Sequence, residues 1–462
     1  MLAELASAVR ERRVSATELV RSALERIERH NGALNAVVAL RPDEALDEAR
    51  VLDERVARGE DPGPLAGLPF LVKDMEDVAG MRTTFGSLLF ADAPAAAADG
   101  LVPRRLRAAG AIPLGKTNLP EFAFAGFTDN RLFGPTRNPW NADWSPGGSS
   151  GGSAAALAAG MVPIATATDG GGSIRIPSAL CGLVGLKPTN GVIGRDPIPD
   201  WIDLSTFGPI ASTVADVRLL LEVEAGPVPG DPTALPHRPE MRAELPRRAF
   251  AAHRFVDYGP LPEGVRSSFE SALAHVEREL GLPVESIEGA VIRSGDSGAD
   301  WLTMCAVEHV HHLGAELVRS NLERLSEPVR VRMERGLALG IDEYLAVRRR
   351  RFDYVRELDL LLGEDGVLLL PTLGYEGWRP DGVIPETGQE ARREGYSNTR
   401  ETNITGHPSL SVPAGLSSNG LPFGLQIVGP RFRDDLVMNL GAAWEAANPW
   451  PPVASGFEPF EL

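Results

Sequence analysis

Short apolar segments alternate with helical segments along most of this chain, and this alternation constrains the fold more than any other feature. The apolar segments are bounded by glycine and proline and are short, which is typical of buried strands. The strand-like segments cover residues 68–72, 111–114, 162–165, 366–370, 409–412 and 421–428. Helices are expected between them at 102–109 and 153–159, and after them at 434–446. The pattern predicts an α/β protein whose sheet carries helices on both faces.

The remaining segments are mostly helical in pattern. Ser15 and Glu18 form a capping box ahead of apolar residues at helical spacing, so residues 1–60 are expected to be an N-terminal helical segment. A proline-rich connection at 227–247 opens a mostly helical variable insert at 226–364. Within it we expect a strand and three helices, at 250–256, 265–280, 300–325 and 341–362. One domain over 1–462 is predicted, with its α/β core at 61–225 and 365–447.

Charge, hydropathy and cysteine content exclude several classes of protein. The net charge of −17 opposes docking on a phosphate backbone, so no nucleic acid is expected as a direct partner. The uncharged stretch 145–168 is rich in glycine and serine, so it is expected to be a loop and a helix and not a membrane span. Cys181 and Cys305 cannot build a disulfide framework, which favours a cytoplasmic protein.

Lysine is almost absent from this sequence. Lys73, Lys116 and Lys187 are the only lysines among 46 basic residues, and the others are arginines. Arginine keeps its proton near neutral pH, whereas a desolvated lysine can lose it. Lys73 ends the apolar segment 67–73, so we expect it at the end of a buried strand, where it could act as a general base.

Two glycine-rich loops, at 145–153 and 168–175, form the densest chemical signal in the chain. They place Ser149 and Ser173 among glycines. Glycine lets the backbone approach a ligand closely and lets several N–H groups converge, as an oxyanion requires. Each loop taken alone could equally be a tight turn or an anion site at a helix N-terminus.

Three chemistries compete for these loops. Residues 110–117 match the phosphate-binding pattern G-x-x-x-x-G-K-[ST], but here a strand precedes the lysine where the pattern needs a loop that leads into a helix. Residues 147–151 match the nucleophile elbow G-x-S-x-G, but no strand precedes them and His407 is the only plausible histidine. The third chemistry pairs Lys73 with a serine nucleophile, which needs no histidine.

The motifs as a set resemble the amidase signature family. The resemblance covers residues 60–225 and 365–445 and is weak between them. It rests on Leu-Pro-Phe-Leu-Val-Lys-Asp at 68–74, Gly-Lys-Thr-Asn at 115–118, Asn-Pro-Trp-Asn at 138–141, the loop 147–153, Thr-Asp-Gly-Gly-Gly-Ser-Ile-Arg at 168–175, Cys-Gly-Leu-Val-Gly-Leu-Lys-Pro at 181–188, and the segments 208–210 and 403–415. The implied fold is an α/β/α sandwich around a central mixed β-sheet.

The resemblance implies a Ser-cisSer-Lys triad that hydrolyses carboxylic amides, and also esters, through an acyl-enzyme. Ser173 would be the nucleophile, Ser149 the bridging serine after a cis peptide bond, and Lys73 the base. The N–H groups of residues 170–173, which include Gly170, Gly171 and Gly172, would hold the oxyanion, and Ser150 would give a supporting hydrogen bond. No cofactor or metal is implied, Lys116 and Lys187 would be structural, and a homodimer is allowed.

Two positions separate subgroups of the family. Glutaminase subunits of tRNA-dependent amidotransferases more often have Thr where this chain has Gly170, and Gln where it has Ile176. The chain therefore looks more like the stand-alone amidases, and the glutaminase subunit is the first alternative. A phosphate- or nucleotide-binding protein that uses the glycine loops is an alternative of another class.

Other polar and aromatic residues carry weaker expectations. Asp169 and Arg175 could pair to hold the nucleophile loop, which we favour, or Arg175 could meet a substrate carboxylate. Glu308, His312 and Glu316 have the spacing of one helix face and could in principle bind a metal, although a polar face is the simpler interpretation. The loop 194–207 and a helix are expected to line the acyl pocket with Trp201, Trp301 and His309.

Overall fold

The computed structural model describes residues 1–257, 259–385, 389–390 and 397–461. Its helices are α1 Leu2–Arg10, α2 Ala16–Leu34, α3 Pro42–Ala57, α4 Leu101–Ala108, α5 Gly151–Ala158, α6 Arg175–Cys181, α7 Val214–Glu224, α8 Glu263–Leu280, α9 Ser297–Leu313, α10 Ala315–Arg319, α11 Glu327–Ala338, α12 Ile341–Leu362, α13 Arg400–Thr405 and α14 Asp434–Ala447. Every helix predicted from the sequence is present within a few residues except the second half of 300–325.

The strands are β1 Val37–Leu40, β2 Pro69–Lys73, β3 Ile112–Thr117, β4 Ile164–Ala165, β5 Thr168–Asp169, β6 Val184–Lys187, β7 Thr206–Phe207, β8 Ile210–Ala211, β9 Arg248–Ala251, β10 Val284–Ser286, β11 Gly366–Pro371, β12 Val383–Ile384, β13 Gln389–Glu390, β14 Ser409–Leu416 and β15 Pro422–Val428. A seven-stranded sheet has the order β10-β9-β11-β15-β14-β6-β8, and a four-stranded sheet has the order β1-β3-β2-β4. The edge strands β4 and β8 lie side by side, so the four-stranded sheet continues the seven-stranded one. Parallel and antiparallel pairs both occur, which confirms the predicted mixed sheet.

Strand β11 shows why helices cover both faces of the large sheet. Its residues are apolar without a break, and successive side chains of a strand point to opposite faces. Val367 and Leu369 join the core that contains Phe269 of α8. Leu368 and Leu370 join a second core that includes side chains of α9, α11 and α12. The sheet is therefore the middle layer of the predicted sandwich.

The segment 226–364 is mostly helical and also extends the sheet. Strands β9 and β10 run parallel to β11 at the sheet edge. The helix predicted over 300–325 stops early, because Gly314 adopts φ 88°, and α10 begins after this glycine as a separate helix. Across the described ranges, no helix combines the length and the apolar character needed to cross a membrane.

Candidate active site

Strand β2 ends at Lys73, as predicted, and buries this side chain completely. Its Nζ lies 2.7 Å from Ser149 Oγ, 2.9 Å from Ser150 Oγ and 2.9 Å from Thr168 Oγ1. Burial lowers the pKa of Lys73 from an ordinary 10.5 to about 7. A lysine that is partly neutral at neutral pH and surrounded by hydroxyls can take a proton from one of them.

The loop before α5 delivers Ser149 and Ser150 to this lysine. The Gly148–Ser149 peptide bond is cis, as the resemblance implies. A Cβ at Gly148 would stand 2.8 Å from two carbonyl oxygens of segment 125–127, so only glycine fits. The N–H of Ser150 donates to the carbonyl of Ser173 over 3.3 Å, which joins the two glycine-rich loops.

An ion pair beneath the second loop holds the nucleophile candidate in place. Arg175 Nε and Nη2 donate to the two carboxylate oxygens of Asp169, each over 2.9 Å, and both side chains are fully buried. Burial acts to raise the pKa of Asp169, but the charge and hydrogen bonds of Arg175, together with Lys187 and Asn403, outweigh it and bring the pKa to about 2. Of the two roles considered for Arg175, the structure shows the pairing that holds the loop.

Each glycine of the second loop lies against a bulky side chain. A Cβ at these positions would stand 2.3–2.5 Å from a neighbouring side-chain atom, so larger residues are excluded. The pairs are Gly170 with Trp201, Gly171 with Trp301, and Gly172 with Thr399. The tryptophan rings pack edge to face at 5.4 Å.

The backbone N–H groups of this loop divide into two sets. The Gly172 N–H donates to Asp169 Oδ1 over 2.6 Å, so it is engaged in the protein's own structure. The N–H groups of Gly170, Gly171 and Ser173 have no hydrogen-bond acceptor among the residues that the structure describes. These three remain available to a ligand.

Ser173 lines two clefts and is 9% exposed, so a substrate can reach it. The first cleft has an empty volume of about 480 Å³, and its walls include Gly171 and five aromatic side chains, namely Phe124, Trp201, Trp301, Tyr375 and Trp378. The second cleft has about 310 Å³ and is lined by Ser149 as well as Ser173. A substrate carbonyl carbon at Ser173 would thus meet an aromatic wall on one side and Ser149 on the other.

Other candidates lie apart from this centre. His309 lines neither cleft. It is buried between the rings of Phe122 and Phe124, with Nδ1 3.0 Å from Asp200, and burial lowers the pKa of His309 to about 4. Because α9 ends at Leu313, Glu316 does not continue the helix face of Glu308 and His312. In the described part of the chain, no group of three His, Cys, Asp or Glu residues is placed to hold a metal ion.

The two competing motifs lack the local structure that they need. Lys116 lies inside β3, and its buried Nζ donates to Glu76 O over 2.6 Å. No phosphate-binding turn leading into a helix forms there. The 147–151 loop follows no strand, and His407 is fully buried with Nε2 3.2 Å from Asp359. Lys187 is also buried and donates to Pro188 O over 2.7 Å.

Comparison with known proteins tests the resemblance directly. The family model described as Amidase matches residues 18–438. The chain belongs to the amidase family. An acylamidase of Rhodococcus erythropolis is 35% identical over 97% of this chain and 95% of that protein. The crystal structure of a bacterial aryl acylamidase of the amidase signature family is 32% identical and superposes with a TM-score of 0.88 over 97% of this chain and 96% of that chain. A glutamyl-tRNA(Gln) amidotransferase subunit of Nocardia farcinica is also 35% identical, over 96% and 97% of the two chains.

As a member of the amidase family, the protein is a hydrolase that cleaves carboxylic amide C–N bonds. The sequence motifs located Lys73, both serines and the glycines. They gave no role to Thr168, which contacts Lys73. They also gave none to Thr399, which binds the Gly171 carbonyl, or to the indole N–H of Trp301, which binds the Gly170 carbonyl. Thr168 had a signal, because it opens the 168–175 motif. Thr399 and Trp301 lie more than a hundred residues away. Thr399 has no signal, and Trp301 is predicted only to line the pocket, which it does.

Proposed function

We propose that the protein hydrolyses amides through an acyl-enzyme on Ser173, with Ser149 as proton relay and Lys73 as base. The observation that carries this proposal is the 2.7 Å separation of Lys73 Nζ and Ser149 Oγ in a site where burial brings the pKa of Lys73 to about 7. Ser150 and Thr168 hold the amine from two further directions. Ser173 is the serine of this set that lines both clefts.

The proposed proton transfers use the contact between Lys73 and Ser149 and the shared position of Ser149 and Ser173 in the second cleft. Neutral Lys73 takes a proton from Ser149 while Ser149 takes one from Ser173, whose Oγ bonds to the carbonyl carbon. The negative charge on the carbonyl oxygen is held by N–H groups of Gly170, Gly171 and Ser173, while Gly172 shapes the loop through Asp169. Collapse breaks the C–N bond as Ser149 returns a proton to nitrogen. Water then cleaves the Ser173 ester, and esters can enter by the same route.

We propose small-molecule amides with an aromatic group as substrates. Five aromatic side chains line the first cleft beside Ser173, and such walls favour flat apolar groups. The aryl acylamidase whose fold this chain shares supports the same class. An anilide should therefore have a larger kcat/KM than an aliphatic amide with the same acyl group.

The glutaminase subunit is the second candidate, and sequence identity to the amidotransferase subunits favours it. The loop glycine argues against it. A Cβ at Gly170 would meet the buried Trp201 ring at 2.3 Å, so the Thr common in that subgroup does not fit here. Ammonia release from glutamine, measured with and without co-purified partner subunits, separates the two candidates.

A fluorophosphonate provides the decisive test of the nucleophile. We expect a single adduct by intact mass, mapped to Ser173 by peptide analysis. The adduct should be absent in Ser173→Ala and form more slowly in Ser149→Ala and Lys73→Ala. An adduct on Ser149 or Ser150, or none on the wild-type protein, would refute the mechanism.

Location and assembly complete the proposal. Cys181 and Cys305 are both unpaired and buried, which supports a reducing compartment such as the cytoplasm. A homodimer is proposed from the family resemblance alone. Light scattering coupled to size-exclusion chromatography measures the mass of the particle and tests it.

A further inference from the structure

We infer that Trp301 is a positioning residue for the oxyanion site. Its indole N–H holds the carbonyl of Gly170, so that the N–H of Gly171, on the opposite side of the same peptide unit, is turned toward Ser173. The inference rests on the proposed function, in which this loop binds the oxyanion. Trp301 belongs to α9 in the segment 226–364, far from the motif loops in sequence.

The hydrogen bond is direct and buried. Trp301 Nε1 donates to Gly170 O over 2.7 Å, and the side chain is 5% exposed. In a trans peptide the C=O of one residue and the N–H of the next point in opposite directions within one plane. Fixing the Gly170 carbonyl therefore fixes the direction of the Gly171 N–H. Gly171 lines the first cleft together with Ser173.

The next peptide unit obeys the same geometry and serves as an internal check. Thr399 Oγ1 donates to Gly171 O over 2.7 Å, and the Gly172 N–H on the other side donates to Asp169. Both sides of that unit bind protein groups. In the peptide unit held by Trp301, the Gly170 carbonyl accepts a hydrogen bond from the protein, whereas the Gly171 N–H has no acceptor among the described residues.

Glycine has no side chain to resist rotation of its peptide units, so an external group must set their direction. The Trp301 ring also blocks movement, because it lies 2.5 Å from the position of a Cβ at Gly171. The ring is in turn held by the Arg400 guanidinium, 4.9 Å from its centroid. Trp201 packs on Gly170 in a similar way, yet its buried Nε1 has no partner among the described residues. The two tryptophans therefore differ in that the indole N–H of Trp301 donates a hydrogen bond to the loop and that of Trp201 does not.

The test compares Trp301→Phe with Trp201→Phe on an anilide substrate. Both variants remove ring area from the first cleft, so both can raise KM. Only Trp301→Phe removes a hydrogen bond, so we expect its kcat to fall about 10- to 100-fold, at least tenfold more than that of Trp201→Phe. Binding of a trifluoromethyl ketone, which forms a tetrahedral oxyanion on serine, should weaken in parallel. The pH dependence of kcat/KM should stay unchanged, because Lys73 is not touched.

A shape-matched replacement covers the case in which Trp301→Phe does not fold. Benzothienylalanine at position 301 has the outline of indole with sulphur in place of the N–H. We expect unchanged KM with the same fall in kcat. Equal kcat values for the protein with this residue and the wild type, or for the two Phe variants, would overturn the inference. Failure of the wild type to hydrolyse amides or to label at Ser173 would instead refute the proposed function.

Discussion

Lys73 at the end of β2 and Lys187 at the end of β6 occupy the same kind of position. Both are fully buried strand-terminal lysines, and burial lowers the pKa of each to about 7. Their neighbours differ. Lys73 Nζ contacts three hydroxyl groups, whereas Lys187 Nζ contacts the Pro188 carbonyl and the Asn190 amide oxygen.

The difference shows that a lowered pKa does not by itself identify a catalytic base. A carbonyl or amide oxygen can only accept a hydrogen bond, so Lys187 has no proton to take from these neighbours. A hydroxyl can give up one proton and receive another. Lys73 can therefore exchange a proton with Ser149, which lines the second cleft. Lys116 is a third case. Its Nζ donates to the Glu76 carbonyl and to the Thr83 hydroxyl and lies 3.5 Å from the Asp74 carboxylate, but none of these residues lines a cleft.

The largest effect should come from removing the amine of Lys73. Lys73→Met keeps most of the apolar stem but leaves Ser149 without its proposed base, so we expect kcat/KM to fall about 10⁴-fold. The measurement is steady-state hydrolysis of an anilide, with the fluorophosphonate labelling rate beside it. A loss smaller than tenfold in a folded variant would show that Lys73, like Lys187, does not act as a catalytic base.

The pH dependence of catalysis should follow the titration of Lys73. The lysine must be neutral to accept a proton, and its pKa of about 7 means that it is charged in more acidic solution. We therefore expect kcat/KM to fall about tenfold for each pH unit below 7 and to level off above it. Rates between pH 5 and 9 test this, and Lys187→Met should give the same curve. A rate that declines as pH rises through 7 has the wrong sign for a lysine base.

The sequence could predict those parts of the site whose residues lie close together along the chain, and it could not predict contacts between distant residues. Lys73 at a strand end and the two glycine-serine loops are local patterns, so the motifs located them. The hydrogen bond from Trp301 to Gly170 joins residues 131 positions apart, and no local period records it. The end of α9 at Gly314 was missed because the apolar spacing continued past it, and one glycine with positive φ outweighed that spacing.

The smallest catalytic effect should come from Lys187→Met, which we expect to keep kcat/KM within about twofold of the wild type. Lys187 Nζ donates to Pro188 and Asn190, and neither of these residues lines a cleft. Its effect on stability has a definite sign. Folded Lys187 is neutral above pH 7, whereas an unfolded lysine stays charged until about pH 10.4, so between these values the unfolded chain binds one more proton. The free energy of unfolding of the wild type therefore rises with pH in this window. In Lys187→Met the slope of this rise should be smaller by about 1.4 kcal/mol per pH unit. Urea titrations of both proteins at pH 8.0 and 9.5 measure the difference. Equal slopes would mean that Lys187 keeps its proton when folded, and the resemblance between the two lysines would then be one of position only.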